Sequence, residues 1–200
     1  FSVLEALQGV TGVHVVGEDA FGLTLNIGIR GLDPRRSSRT LLLEDGMPIQ
    51  LATYADPSAH YHTPLERVER VEVLKGSGQI IHGPQTVGGV INFVTLGVPR
   101  GLARSADVAV GSRDFRRAAL MLGDGGERGG WLLQAMQKSG AGSREGASHE
   151  LRDLSARFEW NPNPRHGLRG KLGWFDEDSR FGEGGLDEAR FAANPYGNPF

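Results

Sequence analysis

The chain has 200 residues, 22 Lys and Arg against 24 Asp and Glu, a formal net charge of −2 at pH 7 and no cysteine. Near-balanced charge leaves no electrostatic footprint for nucleic acid, and the missing thiols exclude disulfides and Cys-ligated zinc or iron–sulfur centres. The 30 glycines are about twice the usual share, but regularly spaced apolar residues exclude disorder as their cause. With no initiator Met at Phe1 and a loop-like FAANPYGNPF at the end, the sequence reads as an excerpt of a longer protein.

In chain order, Ser2-Val3-Leu4-Glu5-Ala6-Leu7 predicts a short helix. Ser2 is its N-cap and Glu5 closes a capping box, with Gly9 and Gly12 ending it. Val13–Val16 is a short strand, residues 17–22 a loop, and Leu23 to Arg30 alternates as a second strand. Gly31 to Thr40, GLDPRRSSRT, is a polar turn segment. Leu41–Glu44 is a strand running into the tight-turn pair Asp45-Gly46, and Met47-Pro48-Ile49 continues extended. Gln50 to Thr63 is a long loop with Tyr54, His60, Tyr61 and His62. Pro64 at a first helical position predicts one to two helical turns through Arg70.

The stretch Val71 to Thr95, VEVLKGSGQIIHGPQTVGGVINFVT, begins as an alternating strand and ends in the β-branched run Val90–Thr95. Gly76 to Pro99 contains no Asp, Glu, Lys or Arg, long enough for a membrane-spanning helix. Its six glycines and two prolines exclude one. Buried irregular backbone inside a larger body is the expectation.

After residue 100 the pattern changes. Trp131, Trp160 and Trp174 all lie there, and five segments alternate: around Ala106–Val110, Ala118–Leu122, Leu132–Lys138, Leu154–Trp160 and Leu168–Trp174. Gly111–Asp114 reads as a short connection, Gly123–Gly129 and Asn161–Gly167 as moderate, Lys138–Glu150 as long and Asp176 onward as very long. Alternating segments of about ten residues, with turns and long loops in alternation, suit a transmembrane β-barrel. An antiparallel sheet with one wet face satisfies the same period.

Ile29-Arg30-Gly31, Leu43–Ile49 (LEDGMPI), Leu65–Gly76 (LERVERVEVLKG) and Gly83–Thr95 (GPQTVGGVINFVT) together resemble the TonB-dependent outer-membrane receptors. The resemblance covers nearly all of residues 1–95 and extends in style to 100–200. Leu25–Leu32, Tyr54, Gly83–Gly89 and Gly184-Gly185-Leu186 are most similar to the ferric dicitrate transporters of that family. It implies an α+β plug domain, residues 1–98, followed over residues 99–200 by the first antiparallel strands of a transmembrane β-barrel of about 22 strands. It further implies outer-membrane localisation, import of a ferric chelate with iron as cargo and no cofactor, and no enzymatic step. The implied partners are TonB of the TonB-ExbB-ExbD complex and outer-membrane lipid. Haem, a cobalamin or a sugar are alternative ligands.

The family's two rising plug loops correspond to Asp33–Arg39 and Ala52–Tyr54. Asp33, Arg35, Arg36, Arg39, Thr53 and Tyr54 are therefore the candidate ligand residues. Guanidinium forks bind carboxylates bidentately, which suits a polyanionic chelate; a solvated turn is the plainer account of the same arginines. His60 and His62 are weak metal candidates, and His14 and His82 are read as structural. Arg30, Glu66, Arg67, Glu69, Arg70, Glu72 and Lys75 form a mixed-charge run that a solvated helix face explains. The resemblance implies instead that Arg30, Glu69, Glu72 and Lys75 anchor the plug to the barrel wall.

Other function classes fit less well. Gly78–Gly83 has the spacing of a phosphate loop, but Pro84-Gln85 stands where Lys-Ser/Thr is needed. Ile81 occupies the third glycine position of the dinucleotide pattern. A soluble β-rich module, such as a carbohydrate binder using the tryptophans, is the remaining alternative.

Overall fold

The computed structural model describes residues 2–17, 21–23, 25–34, 39–49, 61–76, 79–83, 86–181 and 185–198, with backbone only at 79 and 80. The chain divides into two compact units, Phe1–Leu96 and Gly97–Phe200.

The first unit opens with α1 (Val3–Gln8). Ser2 Oγ accepts from the Glu5 amide at 3.3 Å, and the Ser2 amide donates to the Glu5 carboxylate at 2.8 Å. This capping box is worth about 1 kcal/mol to a helix too short to persist alone. Gly9 ends it in a right-handed conformation; the left-handed glycine is Gly12. β1 (Val13–Gly17) and β2 (Leu25–Ile29) form an antiparallel pair. The alternation read from Leu23 to Arg30 does not become a wet and a dry face, because all five β2 residues are buried, Asn26 included.

β3 (Thr40–Glu44), β4 (Met47–Pro48), β5 (Val68–Lys75) and β6 (Gly89–Thr95) form a four-stranded sheet in the order β4-β3-β6-β5. β3 and β6 are parallel, and the other pairs antiparallel. The expected Asp45-Gly46 turn joins β3 to β4, both residues at positive φ. One sheet face supplies Leu42, Ile91 and Phe93 to a core completed by Val3, Leu7, Val15, Leu25, Ile27 and Ile29. Each such side chain contributes about 1.5–3 kcal/mol by burial. Leu41, Leu43 and Val90 form a second cluster.

Two expectations fail here. The helix read over residues 64–70 shrinks to a 3-10 turn, Leu65–Arg67, and Val68 already begins β5. Pairing with β6, through a register shift between Val68 and Arg70, overrides the local signal. Where it is described, the uncharged stretch is also more regular than expected, while β6 keeps the expected burial. It contains α2 (Gln79–His82) and β6, and Ile81 is 78% exposed.

Gly28 permits one close approach. A Cβ there would lie 2.2 Å from the Leu32 carbonyl oxygen and 3.1 Å from the Pro34 nitrogen, so residues 32–34 fold directly over β2. Gly28→Ala is expected to cost about 1–3 kcal/mol and to raise hydrogen exchange in β2. Unchanged exchange would show that the 32–34 segment moves aside freely.

The second unit is a meander of five antiparallel strands, β7 (Ala103–Val110), β8 (Arg116–Gly126), β9 (Gly129–Ala141), β10 (Ser148–Asn163) and β11 (His166–Arg180), followed by a short helix α3 (Glu188–Ala193). The strands outrun the alternating segments read from sequence. The connections taken as moderate are two-residue turns, at residues 127–128 and 164–165, while 111–115 and 142–147 are the longer loops at the other end. Backbone pairing extends each strand through Gly-rich and Asn-Pro sequence that carries no local strand signal.

Candidate functional site

β3 and β6 run parallel, so they start at one end of their sheet, and several predicted residues gather there. The Arg39 carbonyl accepts from the Gly88 amide at 2.8 Å. A Cβ on Gly88 would touch Leu32 and the Arg39 carbonyl, both at 3.0 Å. Arg30, at φ 58, turns the chain out of β2, and its guanidinium lies beside Gly76, where a Cβ would be 3.1 Å from Nη1. Lys75 pairs with Gly89 across the β5–β6 ladder. Arg30, Arg39 and Lys75 therefore converge on one end of the sheet, with Asp33 exposed in the segment folded over Gly28. Arg35, Arg36, Thr53, Tyr54 and His60 lie outside the described residues.

Glu69 and Glu72 sit further along β5, both exposed. Glu72 accepts from Asn92 Nδ2 at 3.0 Å and from Arg70 Nε at 2.9 Å. The Asn92 bond first, then the Arg70 guanidinium, hold its carboxyl below the usual carboxylate range. Asn92 in turn accepts from the Gly46 amide at 2.9 Å, tying the β3–β4 turn to β6 and β5. The Asp45 carboxylate completes the tie, accepting from the Thr95 amide at 2.8 Å and hydroxyl at 2.7 Å.

A buried polar network stands at this second end of the sheet. Glu44 Oε2 accepts from Tyr61 Oη at 3.1 Å, Thr63 Oγ1 at 2.5 Å and Arg67 Nη2 at 3.2 Å, and Arg67 Nη2 also contacts the Tyr61 hydroxyl. Arg67 is 4% exposed and Thr63 fully buried. Sequence reading missed this network and left Arg67 in a solvated run. The available signal was Glu44, a lone acid ending the apolar run Leu41–Leu43. His62 is half-buried between two network residues, His14 is exposed on β1 and His82 half-buried in α2. Among the described residues no group of three or more His, Cys, Asp or Glu could hold a metal ion.

In the second unit the strand registers sort side chains into two faces. Ala106, Leu120, Ala135, Leu154 and Trp174 share one row of one face. Leu122, Leu133, Ala156 and Leu172 form the next row, and Trp131 and Phe158 the one after, with Trp160 and Leu168 beyond. These large apolar residues are exposed. The opposite face carries Asp107, Arg117, Gln134, Ser155, Arg157, Glu159, Arg169 and Lys171, with Arg117 paired to Asp107.

The apolar belt runs obliquely to the hydrogen-bonded rows. Its lower margin lies above Arg104 on β7 and above Asp124 on β8, then descends to Trp131 on β9 and to Trp160 and Leu168 on β10 and β11. Its upper margin reaches Val110 on β7 and Ala118 on β8, but stops below Gln137, Arg152 and Asp176 on β9–β11. With about 3.4 Å per residue and about 4.8 Å between strands, these margins cut the strands as a plane does when they tilt by about 35–45°, the tilt of a transmembrane barrel. Arg152 at the upper margin pairs with Glu150 at 2.6 Å and Asp176 at 3.9 Å. Among the described residues no helix is long and apolar enough to cross a membrane, which leaves strands untested; here the strands carry the belt.

Residues 1–90 match the family model "TonB-dependent Receptor Plug Domain". The first ninety residues are thus similar to the plug domain of TonB-dependent receptors. The ferric citrate transporter FecA, in its unliganded crystal structure, superposes on 98% of this chain with a TM-score of 0.84 and 28% identity, using 32% of its own length. The pyoverdine outer membrane receptor FpvA of Pseudomonas aeruginosa PAO1 has the same fold, with a TM-score of 0.74 and 18% identity over 88% of this chain and 25% of its own. Among curated relatives, the vitamin B12 transporter BtuB of Vibrio vulnificus strain CMCP6 is 36% identical over 94 residues, 47% of this chain and 15% of the relative. The chain thus spans about a quarter or less of the length of the curated relatives it matches first. The plug is followed by antiparallel strands of the receptors' β-barrel, and the chain belongs to the bacterial outer membrane.

Proposed function

We propose that this chain is the plug, residues 1–98, and the first barrel strands, residues 99–200, of an active importer whose cargo is a ferric chelate, iron(III) dicitrate or a related carboxylate siderophore. One observation carries the reading: Arg39, assigned to the ligand, precedes β3 at the end of the plug sheet where Arg30 and Lys75 also lie. A cationic apex with guanidinium forks suits a polyanionic carboxylate chelate. The likeness to FecA across nearly the whole chain supports it. Asp33, Arg35, Arg36, Arg39, Thr53 and Tyr54 are assigned to the ligand, and His60 and His62 are not needed, since iron arrives already chelated.

Transport needs no covalent step. TonB, within the TonB-ExbB-ExbD complex, supplies the pull that rearranges the plug. Arg30, Glu69, Glu72 and Lys75 are assigned to anchoring the plug on the barrel wall, where polar contacts break and re-form more readily than an apolar interface. A second reading is import of a cobalamin, favoured by the 36% identity to BtuB over 94 residues.

Binding of ferric citrate and of cyanocobalamin to the full-length receptor separates the two. Ferric citrate is expected to bind, with affinity falling at least tenfold in Arg35→Ala/Arg36→Ala. Cyanocobalamin binding without ferric citrate binding would replace the first reading by the second. Unchanged affinity in the double variant would remove the arginine assignment.

A further inference from the structure

The chain is held on both sides of Gly97, where the first unit gives way to the second. Upstream, the Leu96 amide donates to the Arg67 carbonyl at 2.9 Å, one residue past the end of β6. Downstream, the Gly101 amide donates to the Gly125 carbonyl at 2.6 Å, continuing the register in which Ala103 faces Gly123. Gly101 has φ 86, and this left-handed turn carries the preceding residues over the face of β8 and β9 opposite the apolar belt. Three glycines floor the crossing: Gly123 and Gly125 on β8 and Gly130 on β9, with Gly125 and Gly130 directly paired. A Cβ on Gly125 would lie 2.9 Å from Val98 Cγ1 and would run into the Pro99 carbonyl oxygen. One on Gly130 would lie 2.7 Å from Val98 Cγ1, and one on Gly123 3.0 Å from Pro99 Cγ. Val98 and Pro99, both half-buried, thus fill space that a side chain at any of these positions would take. Gly97 differs from its neighbours: it is exposed, and a Cβ there would meet nothing within 4 Å.

We infer that Gly97 is a one-residue hinge and that Val98 to Gly101 is a fixed part of the barrel wall. Rearrangement of the plug during import pivots at Gly97 and leaves the glycine seat filled. This rests on the transport reading above, in which the plug rearranges. Hinges are a few element-terminal residues that absorb the change in φ and ψ. Here the hydrogen bond at Leu96 and the packing at Val98 leave Gly97 as the residue that can do so. A slack tether would not need a floor cleared of side chains on two strands; close packing of Val98 and Pro99 against backbone does.

The test uses the full-length receptor in whole cells, with energised uptake and binding of ferric citrate read separately. In Pro99→Cys/Gly123→Cys a disulfide is expected on oxidation, since Pro99 Cγ lies 3.0 Å from the Gly123 Cβ position. The oxidised receptor is expected to import at more than about one third of the rate of its own reduced form, because the seat stays filled during transport. Gly97→Pro fixes φ and restricts Leu96 as well. Its uptake is expected to fall about fivefold or more, with affinity for ferric citrate within about twofold of wild type. Failure of the disulfide to form overturns the inference, as does slower import by the oxidised form or a smaller fall in Gly97→Pro. If Gly97→Pro loses binding as well, Gly97→Val, whose Cβ enters open space, takes its place, and a fall in uptake of less than about threefold overturns the inference. If the wild-type receptor imports cyanocobalamin and not ferric citrate, the ligand reading alone fails, and the same criteria applied to cyanocobalamin decide the hinge. If wild type imports neither probe, both fall.

Discussion

Arg67→Ala is expected to loosen the plug by about 3–5 kcal/mol. The substitution takes the guanidinium away from the Glu44 carboxylate, whose side chain is 13% exposed and which also accepts from the Tyr61 and Thr63 hydroxyls. Removing one partner of a buried ion pair costs about 3–5 kcal/mol, far more than the net worth of the pair, because the remaining charge keeps its desolvation penalty. Hydrogen exchange in β3 and β6 of the full-length protein measures it. Protection there is expected to fall by roughly two to three orders of magnitude, since every 1.4 kcal/mol is about tenfold. The double variant Glu44→Gln/Arg67→Met separates charge from packing. A glutamine carbonyl still accepts from Tyr61 and Thr63, and methionine fills much of the arginine stem, so the double variant is expected to lose less than Arg67→Ala alone. An equal or greater loss would mean that the pair acts through packing rather than through charge compensation.

Ala156→Arg is the second large effect. Ala156 lies in the row between Leu133 and Leu172, near the middle of the oblique apolar belt. An arginine placed at that depth of a bilayer costs about 2–4 kcal/mol, falling to about 0–1 near the interfaces. Glu127→Arg, exposed in the β8–β9 turn and outside the belt, is the control. In lipid vesicles, the urea midpoint and the folded fraction of the full-length protein are expected to drop for Ala156→Arg and to stay near wild type for Glu127→Arg. Equal tolerance of the two would place this face in water. That outcome would revive a sheet with one wet face, an arrangement that strand periodicity alone leaves open.

The plug was the more legible half. Its capping box, its Asp45-Gly46 turn and its closing strand Val90–Thr95 each follow from short-range chemistry. Arg67 was misread for a definite reason. In sequence it sits among Glu66, Glu69 and Arg70, and a charge run is normally solvated. Its burial follows from the returning segment, which brings Tyr61 and Thr63 to a carboxylate 17 and 19 residues earlier. The helix expected from Pro64 to Arg70 failed similarly, because the backbone of Val68–Arg70 gains more from the β6 ladder than from a helix of one or two turns. In the second unit, residue types fixed which segments alternate, but strand ends and turn lengths were misjudged wherever glycine, proline or asparagine pair in the ladder.

By itself the sequence determined the plug family, the absence of thiol chemistry and the two-faced character of the later strands, because these depend on residue identity, spacing and periodicity. Tertiary structure alone decided three things. It gathered Arg30, Arg39 and Lys75 at one end of the sheet, since two parallel strands must start together. It buried Glu44 with Arg67, since only chain return brings them within reach. It also set the slant of the apolar belt, since that slant is the register between strands, a relation between distant residues that no local pattern encodes.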